Sequence, residues 1–302
     1  MSVATPEAAG SLHRLPLAGP GGAAEPLALR HAEPPADRDR GLSILYLHGF
    51  GSSQRGEKAT WFRRWAAEEG IAFTSFDFRG HGESGGELGE LTLTRNLADA
   101  GAALAWLAGH RPGPIVLFGS SMGAAAAMWL TVEPETPGGG TAVPDAPAGS
   151  PLERIAGVLA VAPALTMERS LADRCGPEGL ARWRETGRLR VETELMSTEL
   201  YWELMEDLAR HPPERLAERY AAPTLVFQGM RDESVAWRDV AAFAAAARPA
   251  RLELHLFAAG DHRLIAQRER IAELAGGWLA GLPRRAAPGP RRSSVRPPPA
   301  AR

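Results

Sequence analysis

The chain has 302 residues with a formal net charge of −2, 44% hydrophobic residues and 23% charged residues. Such a balance predicts a globular chain with a sizeable core, and the near-neutral charge argues against a broad nucleic-acid-binding surface. No run reaches the roughly 18 apolar residues of a membrane helix, and the single cysteine, Cys175, excludes an intrachain disulfide.

Residues 1–22 are rich in Ala, Gly and Pro and are expected to form a disordered tail. They lack a basic segment followed by an apolar one, so no secretory signal is read and a cytoplasmic location is expected. The folded domain is expected over residues 23–282. At its start, Leu12–Leu15 and Pro26–Arg30 read as two edge strands of a hairpin. Leu42–Leu47 is an apolar strand running into His48-Gly49-Phe50-Gly51-Ser52. A helix follows over Lys58–Glu69, with Trp61, Phe62 and Trp65 set toward one face. Ile71–Phe78 is the next strand and leads into Arg79-Gly80-His81-Gly82-Glu83-Ser84. Leu93–Leu107 reads as a helix.

The strand Pro114–Phe118 comes next, and after it the stretch Gly119-Ser120-Ser121-Met122-Gly123 opens an Ala-rich helix, Ala124–Leu130. A G-x-S-x-G between strand and helix is the pattern of a nucleophile elbow. The sharp turn lifts the central hydroxyl clear of the sheet, and the small flanking residues let helix and strand pack closely. In a chain with 33 glycines the pattern also fits a tight turn of a dinucleotide-binding unit. The Gly-rich loops lack the G-x-x-x-x-G-K phosphate pattern.

Residues 133–151, with Gly138-Gly139-Gly140, read as a flexible insertion, and Ile155–Val161 as a buried strand. Residues 166–219 are charged and read as wholly helical, a lid inserted between two core strands. Pro223–Phe227 and Leu252–Phe257 are the last strands, followed respectively by the helices Trp237–Ala247 and Leu264–Leu282. Residues 283–302 are basic, Pro-rich and expected to be disordered. Alternating strands and helices predict a doubly wound, mostly parallel α/β sheet with helices on both faces.

Three chemically matched residues each follow a predicted strand, in the order Ser121, Asp232, His262. In a parallel sheet such positions share the carboxyl edge. A hydroxyl, an imidazole and a carboxylate meeting there are the parts of a catalytic triad. His262 would serve as base and acid, and Asp232 would fix its tautomer. The backbone amides of Met122 and Phe50 would form the oxyanion hole. Glu233 rivals Asp232 as the acid, and Asp261 adjoins His262 without room to orient it. His48, His81 and Asp77 read as structural. Clustered metal ligands are not seen, so no metal is expected.

Together these motifs resemble the serine α/β-hydrolase superfamily from about Gly41 to Leu282. The resemblance implies an eight-stranded sheet with one antiparallel strand, a lid after the sixth strand, and no cofactor. Within the superfamily, Gly49–Ser52 with Lys58-Ala59, Gly229–Asp232 with Val235 and Trp237, and Asp261-His262-Arg263 resemble one branch. This is the branch of the mitochondrial palmitoyl-protein thioesterase and acyl-glucuronide esterase and its bacterial relatives. The sequence departs from it at His48, at Ala236, where proline is usual, and in the inserted residues 133–151. The implied substrate is a small-molecule acyl ester or thioester. Trp183, Met196, Trp202 and Met205 would line an apolar acyl pocket. A peptidase, a C–C hydrolase and a non-catalytic ligand-binding member of the same fold remain alternatives. A peptidase would draw on Glu192, Glu194, Glu199 and Glu203 to hold an amine.

Overall fold

A computed structural model describes residues 10–133, 150–192, 197–247 and 251–282. The chain runs β1 (Ser11–Leu15), β2 (Leu27–Ala32), β3 (Ser43–Leu47), α1 (Glu57–Glu68), β4 (Ala72–Phe76), α2 (Leu93–His110), β5 (Ile115–Ser120) and α3 (Met122–Leu130). It continues through β6 (Ile155–Val161), α4 (Met167–Thr186), β7 (Arg188–Glu192), β8 (Ser197–Tyr201), α5 (Glu203–Leu208) and α6 (Pro213–Arg219). It closes with β9 (Thr224–Gly229), α7 (Trp237–Ala246), β10 (Leu252–Phe257) and α8 (Arg268–Ala280).

Eight strands form one sheet in the order β1-β2-β4-β3-β5-β6-β9-β10. From β4 to β10 every pairing is parallel, and β2 runs against both its neighbours. The central strands are buried along their whole length, so both of their faces are mostly apolar, with small hydroxyl residues, Ser43, Thr74 and Ser75 among them, as the exceptions. One face is covered by α1 and α8, where Phe62 and Trp65 pack with Tyr46, Phe118 and Trp278. The other is covered by α2, α3 and α7, in a core that also takes in Trp129 and Trp106. Every residue of α3 is buried, so this helix has no polar face at all.

The N-terminal tail ends earlier than residue 22, because Ser11–Leu15 pairs with Leu27–His31 as the sheet's outer strand. Of the insertion expected over residues 133–151, Pro151 opens a 3-10 turn, Pro151–Arg154, and residues 134–149 lie outside the described residues. Glu133, at the insertion's start, forms ion pairs with His211, at 3.3 Å, and with Arg215. Residues 1–9 and the basic tail 283–302 are likewise outside the described residues.

The lid follows the sheet's sixth strand but is not wholly helical. Between α4 and α5 it carries the antiparallel ribbon β7–β8. The alternation Arg188-Leu189-Arg190-Val191-Glu192 is the sequence mark of this ribbon, masked by the charged surroundings. Helix α4 is broken where Gly176 adopts φ 63° ahead of Pro177, which has no N–H to continue the ladder. Trp183 is almost fully buried and its indole N–H donates to Leu200 O at 3.1 Å. It therefore holds the ribbon to α4 and joins the buried core that the lid shares with the sheet domain. Trp202 packs edge-on against it, and Met196 lies outside the described residues.

Candidate active site

The turn after β5 is as tight as the sequence predicts. A Cβ on Gly119 would lie 2.3 Å from Ala124 Cα, and one on Gly123 would lie 2.2 Å from Leu47 O. Ser121, between them, is held at φ 54°, ψ −119°. This backbone region costs a non-glycine residue roughly 1–3 kcal/mol and is kept where neighbours enforce it. Here the neighbours are β6 and the next loop: Ser121 N–H donates to Val161 O at 2.8 Å, and Ala164 N–H donates to Ser121 O at 3.2 Å. Ala162 (φ 49°) and Leu264 (φ 51°) are the other described non-glycine residues with positive φ, and they too follow β6 and His262. Backbone strain is thus concentrated at one edge of the sheet.

The loops after β9 and β10 come together because glycines line their contact. A Cβ on Gly229 would lie 2.4 Å from Gly260 O. Arg231 N–H donates to Gly260 O, at 2.9 Å, and locks the two loops. The result is a continuous hydrogen-bonded chain. His262 Nε2 is 3.1 Å from Ser121 Oγ, and His262 Nδ1 is 2.8 Å from Asp232 Oδ2. Ser121, Asp232 and His262 therefore meet although 141 positions separate the serine from the histidine. Glu233 is exposed, and Asp261 Oδ1 instead accepts Leu264 N–H at 2.7 Å, which shapes the histidine loop.

Asp232 is held by more than the imidazole. Ser234 and Val235 donate their N–H groups to Oδ1, each at 2.8 Å, and Gln228 Nε2 donates to Oδ2 at 3.0 Å. Burial pushes the carboxyl pKa up, but the His262 hydrogen bond and charge, with the two amides, outweigh it and hold it below the ordinary carboxylate value. The group stays ionised at neutral pH.

Across the site, Gly49 brings the His48–Ser52 loop against the elbow: a Cβ there would meet Ser120 O at 3.2 Å and Ser121 Cβ at 3.3 Å. Two buried histidines support this loop. His48 Nδ1 donates to Gly49 O at 2.8 Å, while its Nε2 accepts Phe78 N–H at 3.1 Å. His81 Nε2 accepts Gly51 N–H at 3.4 Å, and its ring faces Phe50. Desolvation drives both imidazoles down, His48 to about 4 and His81 to about 3, so both remain neutral acceptors. Asp77 accepts the amides of Gln54 and Glu83 at 2.6 and 2.8 Å and organises the same loops. Met122 is the first residue of α3, so its N–H has no acceptor within the helix.

Sequence reasoning missed Gln228, and it took Lys58 only as part of a resemblance, with no role of its own. Gln228 is a polar residue at the end of an otherwise apolar buried strand, which is its only sequence signal. Lys58, on α1, donates from Nζ to Ser120 Oγ at 2.8 Å. Among the described residues no group of three or more His, Cys, Asp or Glu is placed to hold a metal ion, and no helix is long and apolar enough to cross a membrane.

The sequence matches the family described as serine aminopeptidase, S33, over residues 40–269. The chain belongs to this family. It is a serine α/β-hydrolase, and solved structures share its fold. A protein from Agrobacterium vitis S4, assigned as a hydrolase, is 25% identical with a TM-score of 0.71, covering 88% of this chain and 98% of that one. Alpha/beta hydrolase domain-containing protein 10 from mouse is 20% identical with a TM-score of 0.69, covering 90% and 99%. Est1E from Butyrivibrio proteoclasticus, with ferulic acid bound, is 19% identical with a TM-score of 0.67, covering 85% and 95%. No curated protein matches the sequence.

Proposed function

We propose that this hydrolase cleaves a carboxylic ester or thioester through an acyl-serine intermediate. The observation that carries the reading is the chain of hydrogen bonds from Ser121 Oγ through His262 to Asp232. In the first half-reaction, Ser121 Oγ attacks the acyl carbon as His262 Nε2 takes its proton. Asp232 holds Nδ1–H and stabilises the imidazolium. The oxyanion is received by the N–H groups of Met122 and Phe50. The imidazolium then protonates the departing alkoxide or thiolate. In the second half-reaction His262 takes a proton from water, water attacks the acyl carbon, and Ser121 is released.

Structures of similar fold include the ferulate-bound Est1E and a monoacylglycerol lipase from Paleococcus ferrophilus, both of which point toward acyl esters. The family's description favours a second reading, an aminopeptidase. That chemistry needs lid carboxylates free to hold a substrate amine. Of the four candidates, Glu199 and Glu192 are paired with Arg188 and Arg190, at 2.9 and 2.8 Å, which among the described residues leaves Glu203, exposed on α5, for that reading.

The test is hydrolysis of a p-nitrophenyl ester series and matching acyl-CoA thioesters by wild type and Ser121→Ala, with aminoacyl p-nitroanilides alongside. Ester or thioester turnover lost in Ser121→Ala is the expected outcome. Turnover confined to the anilides would replace this reading with the peptidase, and folded protein whose Ser121 resists a fluorophosphonate would replace it with a non-catalytic binder.

A further inference from the structure

Lys58 is the only lysine in the chain; the other residues of its 34 Lys and Arg are arginine. It stands where a cation is costly. Its Nζ is packed beneath the elbow beside an apolar cavity of about 10 Å³, lined by Trp61, Phe62, Val161 and Leu264 among others. Among the described residues no carboxylate forms an ion pair with it within 4.0 Å, and its hydrogen bond goes to Ser120 Oγ, on the residue before the nucleophile. A stabilising role alone does not explain this choice. Lys58 is half-buried, its ammonium has three donors, and among the described residues a single hydroxyl accepts one of them. Nor is Ser120 placed to react, because it is buried at the end of β5 and the adjoining cavity holds no more than a water.

We propose that Lys58 is a positioning residue for hydrolysis at Ser121: its ammonium holds Ser120 in place and supplies a fixed positive charge behind the elbow as the anionic transition state forms. The proposal rests on the acyl-serine reading above. Preorganised charge in a low-dielectric site acts without reorientation during the reaction, which is the reason to place a cation at such cost.

The charged groups acting on Lys58 come from three elements. Glu57 neighbours it on α1, Asp232 acts from the loop after β9, and Asp261 and Arg263 act from the loop after β10. Desolvation lowers the ammonium pKa to about 8, Arg263 pushes it the same way, and Asp261, Asp232 and Glu57 oppose. The charge is therefore present at neutral pH and is lost within the range where hydrolysis is easily measured. Its loss has opposite consequences for chemistry and for folding. The unfolded chain holds this proton up to its ordinary pKa of about 10.5, so between about pH 8 and that value the unfolded state binds more protons and stability rises with pH. Over the same interval kcat falls.

The deciding experiment measures kcat, KM and Tm from about pH 6 to about pH 10 on p-nitrophenyl butyrate, for wild type, Lys58→Arg, Lys58→Met and Ser120→Ala. Ser121→Ala serves as control. Wild type is expected to lose about tenfold in kcat through one step near pH 8, the order expected of a unit charge acting across a few ångströms of protein. KM should stay within about twofold, as for an interaction made in the transition state. Lys58→Arg should keep its plateau through the alkaline range, and Lys58→Met should sit near the wild-type alkaline level at every pH. The Tm of wild type should rise relative to Lys58→Arg as kcat falls, which separates loss of charge from unfolding. Wild-type kcat in Lys58→Met, or an unchanged alkaline step in Lys58→Arg, would overturn the proposal. If Lys58→Met does not fold, the Lys58→Arg profile decides, and a wild-type kcat profile in Ser120→Ala would remove the positioning contact. Turnover that survives in Ser121→Ala would instead sink the acyl-serine reading, so the two failures are distinguishable.

Discussion

The elbow and the lid are built on opposite principles. The elbow sits among strands and a helix that are buried on every side, and its residues are fixed by backbone contacts closer than a side chain allows. The lid is mostly exposed and meets the sheet domain through side chains: Leu200, Leu204, Met205 and Leu208 join the buried core, and polar contacts surround them. Asp207, on α5, accepts Thr94 N–H at 2.9 Å and Thr94 Oγ1–H at 2.6 Å, so the lid caps the N-terminus of α2. On the other flank Thr166 Oγ1 donates to Asp239, on α7, at 2.9 Å. The ribbon rests on the loop before α2, where Tyr201 Oη donates to Glu87 at 3.2 Å. Close backbone packing holds Ser121 in one geometry, whereas the lid is held by side-chain contacts that single substitutions can remove.

The sharpest way to break this contrast is at the strained serine itself. Ser121→Gly should abolish turnover, a loss of about 10⁴-fold or more if the acyl-serine reading holds. It should also raise Tm, because glycine relieves the positive φ. A variant that loses both activity and stability would mean that the hydroxyl, rather than the turn, holds the elbow. Next in size, Gly123→Ala places a methyl against two backbone carbonyl oxygens that have no room to move. Calorimetry should record a stability loss of about 3 kcal/mol or more. A smaller loss would show the elbow to be as adaptable as the lid.

On the lid side, Asp207→Ala removes a buried carboxylate that serves α2 and also pairs with Arg210 at 2.6 Å. The expected cost is about 2 kcal/mol from the lost cap and the unpaired donors. Its kinetic signature should be a raised KM, with kcat on small esters kept within a few-fold. A fall in kcat equal to that of Asp232→Asn would erase the distinction between the two regions.

The smallest effect concerns the histidines behind the Gly49–Ser52 loop. Their folded pKa values, about 4 for His48 and about 3 for His81, lie below the ordinary 6.5. Unfolded chains therefore bind protons first as pH falls. The stability from these neutral rings is complete above about pH 6.5 and is lost progressively below it. His81→Asn removes one such group, so its Tm should fall less steeply than that of wild type between about pH 6.5 and about pH 4. Parallel slopes for the two proteins would show that His81 is charged or exposed in the folded state.

Much of the sheet domain is legible before folding. The runs Ile155–Val161 and Leu252–Phe257 coincide with strands from end to end, the first as an apolar run in the sheet's interior and the second as an alternating run at its edge. The lid is harder to read. Its ribbon is exposed on one face, so Leu189 and Val191 are scattered among arginines and glutamates, and no strong alternation stands out. Trp183 shows the same difficulty from another side. A tryptophan in a charged segment fits a ligand pocket and a small local core equally well, and only the partner of its N–H separates them.

By itself the sequence determined the alternation of strand and helix, the elbow with its two small residues, and the order of serine, acid and histidine along the chain. These are local properties: periodicity, steric size and chemical type at positions a few residues apart. What the tertiary structure decided is everything that depends on which loops share an edge. It brought Asp232 rather than Glu233 to His262, set Gln228 behind it, placed His48 and His81 under the Gly49–Ser52 loop, and brought the chain's one lysine to Ser120. Hydrogen bonds between residues tens to hundreds of positions apart arise only when the parallel sheet aligns its carboxyl ends, and no local pattern encodes their partners.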